Sequence, residues 1–162
     1  HSTTPNPKAL EVIKAINFAI DEANVEAKIS KKDIDYINLH GTGTLANDTM
    51  EACAVKETFK EAFKEVFEGG KLPPASSTKP LTGHCLGASA AIETALICHL
   101  MNNFKGKFFP HIFDKEYNEK LEKINLVGFK NENSFKKCKV CMNNSFGFGG
   151  ANAIMILKKT EK

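Results

Sequence analysis

Residues 36–48, YINLHGTGTLAND, carry the pattern that decides the fold. The apolar run over residues 34–40 predicts a strand, and the Gly- and Thr-rich run that follows predicts a loop. Asp48, followed three residues later by Glu51, is typical of a capping box, so we predict that a helix begins at Asp48. A strand that leads through a loop into a helix is the building unit of α/β proteins.

Helical periodicity continues on both sides of this segment. Apolar residues at helical spacing predict amphipathic helices over residues 7–24, capped by Asn6, and over residues 48–67, ended by Gly69 and Gly70. A third helix, rich in small residues at its start, is predicted over residues 85–103. Ser30 with Asp33 predicts a short capped turn.

Short apolar runs predict four further strands, over residues 75–78, 108–113, 139–142 and 153–157, the last two joined as a hairpin. The charged run over residues 114–123 predicts a solvated helix or loop. Strands that alternate with helices and end in a hairpin favour an α/β domain, with layered helices on a mixed five-stranded sheet.

The composition is that of an ordinary globular chain. Its 162 residues are 42% hydrophobic and 25% charged, which is enough to bury a core. The net charge is only +3, so no nucleic acid partner is predicted. The basic residues are all Lys, so an anion would be held by Lys, backbone N–H groups or hydroxyls. The most apolar stretch, residues 86–101, is interrupted by Glu93 and His99, so no membrane span is predicted.

The start of the chain and its cysteines point to a cytoplasmic fragment. The chain begins with His1 and has no signal peptide, so we expect it to be part of a longer protein. Five cysteines without a small-domain disulfide pattern indicate a reducing compartment. Cys138 and Cys141 form a lone C-x2-C on a predicted strand. A spacing of three should point their side chains to opposite faces, so we expect no zinc site.

Three loops combine glycines with reactive side chains: HGTGT at 40–44, KPLTGH at 79–84 and NSFGFGG at 144–150. Each follows a predicted strand, where sites form in α/β folds. His40 and His84 taken singly are more typical of structural histidines than of catalytic ones. Lys79 is either a pocket cation or a solvated lysine. Phe146 and Phe148 are either buried turn aromatics or a mobile aromatic gate.

Residues 41–46, GTGTLA, also fit the dinucleotide fingerprint G-x-G-x-x-G/A. Two features argue against that function. The helix is predicted to begin at Asp48, after the motif, and the next strand leads into Lys79, where an acidic ribose ligand is expected.

In sequence order, YINLHGTGTLAND, STKPLTGHCLGASAAIE and NNSFGFGGANA resemble three motifs of the β-ketoacyl-acyl-carrier-protein synthases, the condensing enzymes of fatty acid and polyketide synthesis. The resemblance covers nearly the whole chain. It implies the thiolase-like fold, of which residues 1–162 would be the C-terminal half. The nucleophilic Cys would then lie in an N-terminal half that is absent here, because Cys53 is predicted to be an inert thiol in mid-helix.

The resemblance also implies roles for individual residues. The implied catalytic residues are His40, His84 and Lys79, supported by Glu93 and Asp48; the residues implied at the pantetheine entry and the gate are Thr42, Thr44, Phe146, Phe148 and Gly149. The implied reaction joins an acyl-enzyme to malonyl-carrier protein with loss of CO2. Two imidazole N–H donors suit the negative charge that then develops on a thioester oxygen.

The implied partners are acyl carrier protein, the N-terminal half and a second copy of the full-length protein, and neither a metal nor an organic cofactor is expected. HGTGT is common in polyketide-type synthases, whereas KPLTGH is closer to the stand-alone fatty-acid type. A chain-length partner subunit without a nucleophile is the non-catalytic alternative. Thiolases share the fold but use different loops in this half.

Overall fold

The elements of the fold are taken from a computed structural model, which describes residues 5, 6, 8–63, 72–114, 116, 118–128 and 135–160. Its helices are α1 (Leu10–Ala27), α2 (Leu45–Phe63), α3 (Lys79–Thr82) and α4 (Ser89–Asn102). Its strands are β1 (Tyr36–Asn38), β2 (Ala75–Ser76), β3 (Val140–Phe146) and β4 (Asn152–Lys158). Single 3-10 turns span Lys31–Asp33, Leu86–Ala88 and Phe148–Gly150.

The four strands form one mixed sheet in the order β2-β1-β3-β4. β1 runs parallel to both β2 and β3, and β4 pairs antiparallel with β3, which confirms the predicted terminal hairpin. The prediction of a five-stranded sheet is wrong, because residues 108–113 are not a strand. Pro110 has no N–H to donate there, and Phe108 stacks its ring on Tyr36 at 4.8 Å between centroids.

The period-two alternation of the strands divides the core between the two faces of the sheet. On one face Ile37 and Met142 pack with α1 and α2 residues such as Ile16 and Phe59. On the other face Tyr36 and Cys141 pack with Ile97, Leu100 and Met101 of α4. The sheet therefore lies between two helical layers, and the predicted α/β class with a mixed sheet is confirmed.

The helix starts differ from the predictions. α1 begins at Leu10, because Ala9 adopts a left-handed conformation with φ 53°. The Asn6 side chain accepts the Lys8 N–H, just before the helix. α2 begins at Leu45, three residues before the predicted start at Asp48. The third helix, predicted over residues 85–103, is divided into a 3-10 turn and α4, and α3 forms within the predicted KPLTGH loop. The capped turn of Ser30 and Asp33 is confirmed. The predicted stop at Gly69 and Gly70 lies outside the described residues.

The expected geometry of Cys138 and Cys141 is wrong. Their buried sulfur atoms lie 3.5 Å apart, because Cys138 precedes β3 and the alternation of strand side chains does not apply to it. Within the described ranges, no helix combines the length and the apolar character that crossing a bilayer requires.

Candidate active site

The three loops predicted from the sequence meet at one edge of the sheet. β1, β2 and β3 are parallel, so their carboxyl ends lie together. His40 follows β1, Lys79 follows β2, and Phe146 ends β3. The ring centroids of His40 and His84 are 5.5 Å apart, and those of His40 and Phe146 are 5.4 Å apart. Residues separated by about a hundred positions thus form one cluster.

The backbone of the His40 loop is held by a buried carboxylate. Glu51, on the second turn of α2, accepts the N–H groups of His40 and Gly41, each at 2.9 Å. It also accepts the side-chain amide of Asn144 from β3 at 2.9 Å. Burial raises the pKa of Glu51 from 4.5 to about 6, although these donors oppose the shift. The sequence identified Glu51 only as a helix-capping residue; its function here depends on the tertiary fold.

These hydrogen bonds also argue against a dinucleotide site. The expectation that the helix begins after the GTGTLA motif is wrong, since α2 begins at Leu45 inside it. However, the N–H groups of His40 and Gly41 that could meet a pyrophosphate already bind the Glu51 carboxylate. The Asp48 carboxylate adds a second acidic group beside the same loop. Burial raises the pKa of Asp48, and hydrogen bonds from the N–H groups of Gly43 and Thr42 oppose that shift.

His40 is held in the neutral state. Its side chain is buried at 6% exposure, and burial lowers its pKa from 6.5 to about 4, with smaller contributions from Lys79 and His84. The Nδ1 atom of His40 has no hydrogen-bond partner among the described residues. A neutral imidazole carries one N–H and one lone pair, so His40 can donate one hydrogen bond at neutral pH.

His84 is exposed, and its surroundings fix its tautomer. The N–H of Leu86 donates to His84 Nδ1 at 3.3 Å, and the Ser89 hydroxyl lies 3.1 Å from the same atom. An Nδ1 that accepts a backbone N–H carries a lone pair, which leaves the proton on Nε2. The N–H that His84 can donate is therefore the Nε2–H, on the side of the ring away from its own backbone.

Lys79 and Glu93 form a buried ion pair near the two imidazoles. Lys79 Nζ donates to Glu93 Oε1 at 2.6 Å, and the side chains are only 5% and 2% exposed. Burial raises the pKa of Glu93, and Lys79 opposes that shift. The Lys79 ammonium is buried, and the Glu93 carboxylate balances its charge, so the pair has no net charge. This suits a supporting role for both residues.

A cavity of about 770 Å3 opens in front of the imidazoles, lined by His40, Thr42, Thr44, His84, Phe146 and Phe148 among others. The Asn47 amide donates to both threonine hydroxyls, at 3.2 and 2.8 Å, and so fixes their orientation. Phe148 is 94% exposed, and Gly149 behind it has φ 78°, a conformation that favours glycine. The sequence did not single out Asn47.

Two cysteines, Cys53 and Cys85, lie in or beside the loops of this site, and they differ in their surroundings. Cys53 lies within α2, where burial raises the pKa of its thiol. The carboxylates of Glu57 and Glu122 raise that pKa further, by smaller amounts. This agrees with the prediction of an inert thiol in mid-helix. Cys85 is exposed, and its thiol lies 3.6 Å from the Thr82 carbonyl oxygen.

Comparison with known proteins gives a consistent family. A family model described as "Beta-ketoacyl synthase, C-terminal domain" matches residues 1–110. The 3-oxoacyl-[acyl-carrier-protein] synthase 2 of Staphylococcus aureus (strain COL) is 35% identical over 161 residues, which are 99% of this chain and 35% of that protein.

Solved structures agree with this match. A ketosynthase from Xenorhabdus doucetiae, in complex with its chain length factor, is 34% identical with a TM-score of 0.75, over 99% of this chain and 36% of that one. A type II PKS ketosynthase in complex with its acyl-carrier protein is 25% identical with a TM-score of 0.76, over 99% and 36% of the two chains. The chain thus spans about a third of the length of these relatives.

Proposed function

Because this chain belongs to the β-ketoacyl synthase family, as its C-terminal domain, we propose that it supplies half of the active site of a 3-oxoacyl-acyl-carrier-protein synthase of fatty acid elongation. The proposed reaction is a decarboxylative Claisen condensation between an acyl-enzyme and malonyl-acyl carrier protein. Residues 1–162 are the C-terminal domain in this proposal, and the nucleophilic Cys belongs to an N-terminal half.

One observation carries the proposal: two imidazoles, 5.5 Å apart between ring centroids, line the same cavity. His40 is neutral because burial lowers its pKa to about 4, and the Nδ1 of His84 accepts an N–H, so each ring has one N–H to donate. Two donors that converge on one oxygen suit an oxyanion, and each contributes about 3 kcal/mol in comparable enzyme sites.

In the proposed chemistry the malonyl group loses CO2, and the electron pair of the broken C–C bond moves into an enolate. The negative charge rests on the thioester oxygen, which His40 and His84 stabilise. The enolate carbon then attacks the acyl thioester and displaces the Cys thiolate. Lys79 and Glu93 orient the histidines from below, while Phe146, Phe148 and Gly149 form the gate and Thr42 and Thr44 line the entry of the pantetheine arm.

Exposed apolar residues around the cavity support a missing half. Phe148 is 94% exposed, and Leu86, which also lines the cavity, is 65% exposed. Large apolar side chains beside a polar site indicate a surface that another part of the protein covers. We propose that the N-terminal half covers it, that the full-length protein is a cytoplasmic homodimer, and that acyl carrier protein delivers the substrates.

The test uses the full-length protein that contains this chain, with malonyl-acyl carrier protein as substrate. His40→Ala and His84→Ala should each slow decarboxylation by about a hundredfold or more, because each removes an oxyanion donor. Transfer of the acyl group to the Cys should fall less. His99→Ala, an exposed histidine of α4, is the matched control and should change neither step. Normal condensation by either active-site variant would overturn the assignment.

A polyketide-type synthase is the second candidate. The likeness to the type II PKS complex favours it, since that match covers 99% of this chain with a TM-score of 0.76. The two candidates differ in their products. A fatty-acid enzyme should extend acyl chains whose β-keto group has been fully reduced, when these are supplied on acyl carrier protein. A polyketide enzyme should extend β-ketoacyl chains that have not been reduced. A full-length protein without a Cys nucleophile would instead favour a chain-length partner subunit.

A further inference from the structure

Ser77, directly after β2, contacts both loops that carry the candidate catalytic residues. Its hydroxyl donates to the carbonyl oxygen of Gly41, next to His40, at 3.1 Å. The same hydroxyl oxygen accepts the N–H of Lys79 at 3.3 Å. Ser77 is buried at 1% exposure and has little freedom to move. Its position therefore sets the distance between the His40 loop and the start of the Lys79–His84 loop.

The contact between Ser77 and Gly41 is unusually close. A Cβ atom added at Gly41 would lie 2.5 Å from the Cβ of Ser77 and 2.8 Å from its hydroxyl oxygen. Gly41 also has φ 39° and donates its N–H to Glu51 on the other side. The loop is thus held from two directions, and any displacement of Ser77 is passed to the residue beside His40.

His111 holds Ser77 in turn. The Ser77 N–H donates to His111 Nδ1 at 3.1 Å, in place of the strand pairing that would continue β2. The backbone of His111 is anchored, because its N–H donates to the Val127 oxygen at 2.8 Å and the Val127 N–H donates to Ala75 of β2 at 2.9 Å. Burial lowers the pKa of His111, which keeps a lone pair available on Nδ1.

We propose that His111 and Ser77 form a positioning relay, in which the imidazole fixes the Ser77 backbone and Ser77 fixes the relative position of the two catalytic loops. Neither residue lines the cavity that holds both imidazoles; both line a neighbouring cavity of about 530 Å3 together with Lys79 and His84. Their proposed role is positional because their hydrogen bonds go to the backbones of the two loops. This inference rests on the proposed function and extends it to residues 108–113, a segment for which no functional role was predicted.

The test compares three substitutions of His111 in the full-length protein. His111→Asn places an amide oxygen close to the position of Nδ1 and keeps an acceptor for the Ser77 N–H. His111→Gln places its amide farther out, near the position of Nε2, and His111→Leu keeps the packing without any acceptor. His99→Leu is the control, since His99 is exposed on α4 and contacts Asn103 at the end of that helix.

The relay predicts a specific order of decarboxylation rates. Leu and Gln at position 111 should lower kcat about tenfold, because small displacements of catalytic groups reduce rates strongly, whereas Asn should stay within about threefold of the unaltered protein. KM for malonyl-acyl carrier protein should change little. An Asn variant as slow as the Leu variant, or a Leu variant as fast as the unaltered protein, overturns the relay.

A second measurement separates this inference from the proposed function. The imidazole 15N signals of His40 should shift in His111→Leu and His111→Gln but not in His111→Asn, whatever the reaction. If the unaltered protein shows no decarboxylation, the proposed function fails, and the 15N signals still support the relay or overturn it. Unshifted His40 signals in the Leu variant overturn it.

Discussion

The two sides of the candidate active site differ in how far this chain completes them. On one side His40 is buried, and its loop is held by Ser77 and by Glu51, which Asn144 holds in turn. On the other side Phe148 is 94% exposed at the tip of the β3–β4 hairpin. Both sides carry glycines with positive φ, so the difference lies in their contacts and not in the backbone conformation.

This contrast shows where stability and function separate within one site. Substitutions in the buried side, which includes the Lys79–Glu93 pair, should destabilise the domain, because the N–H groups of His40 and Gly41 and the Lys79 ammonium have specific partners there. Substitutions at the exposed side should leave the domain folded and change only its activity. A substitution at a constrained position should therefore cost more stability than a matched substitution at an open one.

The largest effect is expected for Lys79→Ala. It leaves the Glu93 carboxylate, which is 1% exposed, without its partner, and breaking a buried ion pair costs about 3–5 kcal/mol. Lys56→Ala is the control, because its pair with Glu122 is exposed on both sides, and we expect no measurable loss. Urea denaturation of the full-length protein measures both. Equal losses would show that the Lys79 pair is not as buried as its surroundings indicate.

Gly41→Ala should cost about 2–3 kcal/mol, because the added Cβ would lie 2.5 Å from Ser77 Cβ and the residue would also keep a positive φ. Gly43→Ala is the control. Gly43 has φ 75° with nothing within 4 Å of an added Cβ, so only the backbone strain remains, about 1 kcal/mol. Thermal unfolding of both variants gives the comparison, and an equal loss would mean that the loop can move away from Ser77.

The buried imidazole of His40 should make stability depend on pH. Its pKa falls from 6.5 to about 4 on folding, mainly through burial, so the unfolded state binds more protons between these values. Its contribution is fully present above pH 6.5 and is lost as the pH falls toward 4. Glu51, whose pKa rises from 4.5 to about 6, acts in the opposite direction across that part of the range.

His40→Asn should therefore lose less stability than the unaltered protein when the pH falls from 6.5 toward 4. Unfolding free energies measured across this range give the two slopes. His99→Asn, an exposed position, should keep the slope of the unaltered protein. Parallel curves for His40→Asn and the unaltered protein would mean that His40 is not desolvated.

The smallest effect on stability is expected for Phe148→Ala, below about 0.5 kcal/mol, because the side chain has almost no contacts to lose. Phe146→Ala should cost more, about 1–2 kcal/mol, since its ring is half-buried and contacts His40 edge to face. If Phe148 is the gate, its substitution should still change the rate of acyl transfer to the Cys. An unchanged rate in a folded variant would count against the gate.

Much of the site follows from local sequence patterns. His40, Lys79, His84 and Phe148 each stand in a loop after a predicted strand, and parallel strands end at a common edge. The helix start at Leu45 and the absence of a strand at residues 108–113 were not predicted. The capping-box pattern of Asp48 and Glu51 predicted the wrong helix start, because both carboxylates accept N–H groups of the preceding loop and do not cap a helix that begins at Asp48.

The sequence by itself determined the alternation of strands and helices, the terminal hairpin and the residue types at the sheet edge, because periodicity and turn residues are properties of neighbours along the chain. Only the tertiary structure decided that Glu51 holds the His40 loop, that Lys79 pairs with Glu93, and that His111 reaches Ser77. These contacts join residues of different elements, from 10 to 34 positions apart. The protonation states of their titratable groups depend on burial, which no local pattern specifies.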